Sequence, residues 1–399
     1  MNSYRSQFPI FDKYPELAYL DNAATTQRPK VVIDAITQFY SYENANTHRG
    51  IYDLSNEATA KYEAARKGLA SFLGAKSPDN IAFTKGTTES VNIVAQSFLA
   101  DRLVPGDNIV VSILEHHANF IPWQMLAKAK GAELRIIPID KQGDLDMSKY
   151  CRLVDSRTKM VAVNHISNTL GTINDIAEII AVAHQQDVPV MIDAAQSASL
   201  YPLDAQALDY DFLAFSGHKI FGPFGIGVLF VSDRFLPEMK PHNYGGGMIR
   251  EVSVAETIFA KYPFNLEAGT GNVSGVIGLH AAIEYLNNMD KVAARQELHA
   301  LSEYTAEVLK SIPEVHIVKQ PKNHTGIFSL DVKDIHPHDV ASFLNKDGIA
   351  VRAGMHCTQP LLDSIGVPAT VRVSLSIYND RSEIDRLKSA LIDLIKFWS

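Results

Sequence analysis

The chain has 399 residues, 46% of them hydrophobic, and its 37 Lys and Arg against 45 Asp and Glu give a formal charge of −8. That is enough apolar material for one large domain with an appendage, or for two domains, without disulfides or structural metals. An acidic balance with no long run of either sign argues against nucleic acid as the main partner. The only two cysteines, Cys151 and Cys357, have no C-x-x-C spacing, which excludes a disulfide framework and a zinc knuckle.

The N-terminal stretch lacks the apolar segment of a signal peptide, and no later stretch reaches about 18 uninterrupted apolar residues. We therefore expect a cytoplasmic protein with no membrane partner. From residue 80 the pattern becomes rhythmic, with short apolar runs at 80–83, 108–113, 134–139, 160–163, 188–192, 212–215 and 226–231 separated by longer amphipathic stretches. Runs such as V-P-V-M-I are apolar at successive positions, as strands covered on both faces must be. The expected fold class is α/β, with a mostly parallel sheet wrapped by helices.

In such sheets ligands bind beyond the carboxyl ends of the strands, and here those positions are polar. The first run leads into Thr84-Lys85-Gly86-Thr87-Thr88-Glu89, a glycine followed by a helix start, where free N–H groups and the helix dipole favour a phosphate. The second leads into Glu115-His116-His117, where an imidazole can stack on a planar ring and exchange protons near neutral pH. Neither H-E-x-x-H nor cysteine ligands accompany these histidines, so no metal is expected. The fourth run leads to Asn168. The fifth ends on Asp193, which either caps the next helix or keeps a pyridinium nitrogen protonated, and Gln196 follows three residues later. The sixth leads to Ser216-Gly217-His218-Lys219. A lysine is ordinarily a solvated charge, but at a strand end desolvation can free its amine to form a Schiff base.

After Tyr244-Gly245-Gly246-Gly247 and Glu267-Ala268-Gly269-Thr270 come long helices, then strands at 326–332, 349–352 and 370–377. A smaller α+β domain is expected there. Its last helix opens with Ser382-Glu383-Ile384-Asp385, read as a capping-box-like start, and carries Ile384, Leu387, Leu391, Ile395 and Trp398 as a core stripe. We take 16–259 as the large domain and 1–15 with 260–399 as the small one.

Taken in order, G-T-T-E, D-A-A-Q and S-G-H-K resemble the fold-type I pyridoxal-phosphate enzymes of the class V aminotransferase branch. Within that branch Y-L-D-N-A-A-T-T, N-T-H-R-G, E-H-H-A-N, L-E-A-G-T-x-N and R-A-G-M-H-C-T-Q-P-L resemble the cysteine desulfurases, in the group that includes the SufS and CsdA proteins. The likeness runs from about residue 8 to the C-terminus.

The resemblance implies pyridoxal 5'-phosphate as cofactor, with Lys219 as the Schiff-base lysine, Asp193 on the pyridine nitrogen, Gln196 on the phenolic oxygen and His116 stacked on the ring. It implies Thr87, Thr88, Ser216 and His218 at the phosphate, and Thr270 reaching a neighbouring subunit's cofactor. It further implies Arg372 as the clamp on the substrate carboxylate, Asn168 and His48 on the substrate side, Arg49 across a homodimer interface, and Cys357 as the sulfur-accepting nucleophile. Arg352 and His356 surround Cys357, and nearby positive charge favours the reactive thiolate.

The chain departs from the commonest form of the cysteine loop at Met355, where a polar residue is frequent, and at Thr358, where alanine is usual. The short spacing from Cys357 to Arg372 resembles members that pass sulfur to a SufE-type or CsdE-like acceptor protein. Cysteine is the expected substrate, with selenocysteine and cysteine sulfinate as further ones. Another class V reaction, such as transamination or kynureninase-like cleavage, would use Lys219 and Asp193 but leave Cys357 idle. A non-catalytic cofactor or sulfur carrier would release no alanine.

Overall fold

Val, Ile and Phe dominate the short runs because both faces of the strands are buried, except at the edge strand Glu133–Ile137, where only Ile137 is buried. In the computed structural model, which describes residues 4–398, they form β1 (Ile81–Thr84), β2 (Asn108–Ser112), β3 (Glu133–Ile137), β4 (Thr158–Asn164), β5 (Val190–Asp193), β6 (Phe212–Ser216) and β7 (Gly227–Val231). The sheet order is β1-β7-β6-β5-β4-β2-β3. All neighbours pair in parallel except β7, which runs antiparallel to both β1 and β6.

Alternate residues feed two separate cores. Val161, Val163, Val190, Ile192, Leu213 and Phe215 pack on one face, against α1 (Asp53–Phe72), α4 (Ile176–His184) and α5 (Val273–Asn287). Met160, Ala162, Met191, Phe212 and Ala214 pack on the other, against α2 (Thr87–Ile93) and α3 (Ile121–Lys130). Because β1, β2, β4, β5 and β6 share one direction, their polar carboxyl ends all emerge at the same edge of the sheet.

A second sheet of β8 (Val315–Ile317), β9 (Ile327–Val332), β10 (Arg352–Gly354) and β11 (Thr370–Ser374) has the order β8-β9-β11-β10 and is antiparallel throughout. Its core is shared with α6 (Lys291–Lys310), α7 (Pro337–Lys346) and α8 (Arg381–Trp398). Strand β8 was not foreseen from the sequence.

Packing moves the domain limits away from those read in the sequence, and we propose two changes. Residues Tyr262 and Leu266 and the apolar face of α5 join the cores of the large sheet, so the large domain runs on to about Asp290. Ala18 and Leu20 join the small core instead, and Ala18–Tyr19 pairs in parallel with Ile349–Ala350. The start of α8 also differs. Asp380 is its cap, accepting from the amides of Ser382 at 3.0 Å and Glu383 at 3.4 Å, while Glu383 Oε2 accepts from the amide of Asp380 at 3.0 Å. The reciprocal box therefore begins two residues before Ser382, because Asp380 supplies a charged acceptor. Of the stripe read on this helix, Ile384, Leu387 and Leu391 are buried, whereas Trp398 is exposed.

No helix among the described residues is long and apolar enough to cross a membrane. None of their His, Cys, Asp and Glu form a group of three able to hold a metal ion.

Candidate active site

At the carboxyl edge of the large sheet, Gly86 (φ +153°) leads β1 into α2, and Gly227 lies so close that a Cβ added to it would come within 2.5 Å of Gly86 Cα. The close approach requires glycine there. It brings Ser216 to α2, where Ser216 Oγ accepts from the amide of Thr87 at 2.9 Å and pairs with the Thr87 hydroxyl at 2.9 Å. Thr88 is exposed on the first turn, its carbonyl accepting from Asn92. His218 stacks on Phe224 with ring centroids 5.1 Å apart, and its Nδ1 is buried with no partner within the protein.

Lys219 closes the single 3₁₀ turn Gly217–Lys219 after β6. Burial lowers its amine to about 8, opposed by Asp193 and helped by Arg372 and Arg352. Asp193, 5% exposed, ends β5 and accepts from the amide of Ala195 at 2.9 Å; burial raises its carboxyl above the usual range. The residues after Asp193 form turns and not a helix, so this carboxyl caps no helix; one oxygen takes the Ala195 amide. Gln196 Nε2 donates to the carbonyl of Ala23 at 2.8 Å.

His116 follows β2, as its place after the apolar run implies, and caps a short turn. Its Nδ1 accepts from the amide of Ala118 at 3.0 Å, which leaves the proton on Nε2. Burial, then the charges of Lys219, His117, Arg352 and Arg372, pushes this imidazole down to about 3, so it is neutral at physiological pH. Beneath it Glu115, 1% exposed, accepts from the Ser112 hydroxyl, from Asn119 Nδ2 at 2.6 Å and from the amide of Asn164 at 2.9 Å. Burial raises Glu115 to about 8. The carboxyl ties the turn carrying His116 to the end of β4, beside Asp193 in the ladder.

The small domain closes the site with two arginines directly opposite each other, Arg352 on β10 and Arg372 on β11. Such like-charged cross-strand pairs repel, and counter-charges sit beside them. Arg372 is 1% exposed; it donates to Asp21 at 2.9 Å and to the carbonyl of Asn168 at 3.0 Å, while its Nε is buried and unpartnered. Arg352 lies 4.0 Å from Cys357 Sγ. Cys357 is half-buried in a turn where both it and His356 have positive φ, and its carbonyl accepts from the amide of His117 at 2.8 Å. Neighbouring Asn168 Nδ2 donates to the carbonyl of His356 at 2.8 Å.

Lys219 therefore lies within electrostatic reach of Asp193, His116, Arg352, Arg372 and Cys357, and Asn168 ties Arg372 to the carbonyl of His356. The structure does not bring every expected residue there. His48, Arg49 and Thr270 line a separate groove of about 880 Å³ together with Lys85, Gly246 and Glu267. His48 Nε2 meets Glu63 at 3.0 Å, and its ring sits edge-on to Tyr62. Arg49 and Thr270 are exposed. Sequence reasoning passed over Asp21, which stands inside Y-L-D-N, and Thr169, adjacent to Asn168; neither carries a residue-type signal of its own.

The donors present fit pyridoxal phosphate. A buried amine of lowered basicity stands near a buried carboxylate. A glycine turn with a helix start and two hydroxyls stands beside an unpartnered imidazole nitrogen, which is a donor set for a phosphate monoester.

The Aminotransferase class-V family matches residues 18–387. A cysteine desulfurase from Cronobacter sakazakii is 44% identical over 396 residues, covering 98% of this chain and 97% of that protein. One from Escherichia coli (strain K12 / DH10B) is 44% identical over 395 residues with the same coverage. The crystal structure of the Escherichia coli cysteine desulfurase CsdA superposes with a TM-score of 0.93 at 40% identity, over 99% of this chain and 98% of that one. The apo cysteine desulfurase from Thermococcus onnurineus NA1 superposes with a TM-score of 0.94 at 39% identity, over 98% and 97%.

The lowered basicity of Lys219 has a measurable consequence. The amine is cationic below its pKa and nucleophilic above it, so the rate at which cofactor-free protein takes up pyridoxal phosphate rises with pH to a midpoint near 8. Stopped-flow absorbance across pH 6 to 11 checks this. A midpoint near the ordinary lysine value of about 10.4 contradicts the burial argument.

Proposed function

The chain belongs to the class V aminotransferases and, within them, to the pyridoxal-phosphate-dependent cysteine desulfurases; from that premise we propose that Cys357 is the residue that takes the sulfur and Lys219 the one that carries the cofactor. Arg352 standing 4.0 Å from Cys357 Sγ, directly across the ladder from Arg372, is the observation that carries the first assignment, since it sets the sulfur beside the proposed carboxylate clamp. Asp193 would hold the ring nitrogen, His116 the ring face, Gln196 the phenolic oxygen, and Thr87, Thr88, Ser216 and His218 the phosphate.

Pyridoxal phosphate, when bound, supplies the electron sink that lets a bond at the substrate α-carbon break. The protein does the rest. Arg372, its Nε free, clamps the carboxylate of L-cysteine, and Asn168 fixes that guanidinium through its carbonyl. The Lys219 amine takes the α-proton. The Cys357 thiolate attacks the substrate sulfur and the Cβ–S bond breaks, so one sulfur atom moves to Cys357 as a persulfide, and protonation at carbon completes L-alanine. A protein thiol of the SufE or CsdE kind then removes the outer sulfur. Selenocysteine and cysteine sulfinate would enter through the same carboxylate clamp. Two free cysteines suit a reducing cytoplasm.

The groove holding His48, Arg49 and Thr270 supports a homodimer in which each chain completes the other's site. Exposed Tyr42, Ile51, Tyr52, Tyr244 and Val254 lie on or beside the segments that line it, and apolar exposure on that scale marks an interface.

Two outcomes follow. Cys357→Ser keeps the visible absorption of bound cofactor and loses alanine production from cysteine, whereas Lys219→Ala loses both; alanine formed by Cys357→Ser at the wild-type rate would overturn the assignment. For the dimer, Lys219→Ala and Arg49→Ala chains are each inactive alone, and mixed dimers regain activity in a co-expression assay. No recovery contradicts a site shared between chains.

A further inference from the structure

The turn that carries Cys357 is fixed at every carbonyl. Met355 O accepts from the Thr358 amide at 3.0 Å and from the Thr358 hydroxyl at 3.1 Å. The carbonyl of His356 accepts from Asn168, and that of Cys357 from the amide of His117, each at 2.8 Å. His356 Nε2 pairs with the Thr370 hydroxyl at 2.8 Å. These ties hold two successive non-glycine residues at φ +52° and +58°, a backbone state that persists only where its surroundings over-determine it.

One of the ties is a side chain of the turn itself. Thr358 is fully buried, and its Oγ1 stands 2.8 Å from the hydroxyl of Thr169. With its proton directed to Met355 O, Thr358 accepts from Thr169, whose own carbonyl takes the Ser329 hydroxyl at 2.7 Å. The chain of hydroxyls runs from the small sheet through the large-domain segment 168–169 into the cysteine turn. The same segment holds Arg372 through Asn168 O, so the sulfur and the substrate clamp are indexed to one stretch of backbone.

We infer that Thr358 is a positioning residue: its hydroxyl, bridging Thr169 and the Met355 carbonyl, locks the cysteine turn and keeps Cys357 Sγ beside Arg352 and aimed at the substrate sulfur. This rests on the reading of Cys357 as the sulfur acceptor. Alanine at 358 removes the bridge and leaves the Thr169 hydroxyl buried without its partner; serine restores the oxygen.

The test compares wild type with Thr358→Ala and Thr358→Ser as holoenzymes. In Thr358→Ala the second-order rate of Cys357 alkylation by iodoacetamide departs from wild type by roughly 2- to 10-fold, the population change that one net hydrogen bond brings. In the same variant kcat for alanine formation falls with KM for cysteine unchanged, and Thr358→Ser returns both to wild type. Wild-type alkylation and kcat in Thr358→Ala overturn the inference. So does equal loss of activity and cofactor absorption in both variants, which marks Thr358 as a packing residue only. The alkylation rate of the resting enzyme needs no turnover, so it reports on the tether even if Cys357→Ser shows the sulfur-acceptor reading to be wrong.

Discussion

Three cations crowd the mouth of the cleft, and their mutual repulsion is the constraint on which the site depends. Arg352 and Arg372 are cross-strand partners, and Lys219 feels both. Like charges gathered in a partly buried site repel, so the arrangement stands with counter-charges among them. Asp21 beside Arg372 and Asp193 beside Lys219 take those places. The same field explains the neutral histidines: burial first, and then these cations, push His116 and His356 down to about 3 and His218 to about 4. An incoming amino-acid carboxylate meets a guanidinium with a free donor.

That charge cluster can be assembled only because the fold supplies edges and not surfaces. Parallel strands buried on both faces cannot carry polar side chains along their length, so polar chemistry collects at their carboxyl ends. The antiparallel small sheet contributes the opposite wall, and Asn168 and Thr169 join the two walls through Arg372, His356 and Thr358.

Much of this was legible in the sequence. Six of the seven strands of the large sheet follow from apolar runs, the edge strand β3 with Glu133 and Arg135 being the mixed one, and the polar clusters after the runs contain Lys219, Asp193, His116 and Ser216. What escaped depends on contacts across hundreds of residues. Asp21 matters through Arg372, and Glu115 through Asn164 and Asn119; a carboxylate in a loop looks the same whether it faces water or a guanidinium. The domain limits we propose differ from those read in the sequence because α5 packs against α1 and the core of the large sheet. The α8 cap was misplaced because Ser382 and Asp380 are both good capping residues and only geometry chooses. His48, Arg49 and Thr270 were recognisable from motifs, yet one chain alone does not place them beside Lys219.

The central claim is that sulfur passes through Cys357 and not through the exposed Cys151. Peptide mass spectrometry after brief exposure of the holoenzyme to L-cysteine, without reductant and with rapid alkylation, locates it directly. The account predicts one additional sulfur atom on the peptide containing Cys357 and none on the peptide containing Cys151. Alanine formed with both peptides unmodified, or with the extra sulfur on Cys151, would contradict it.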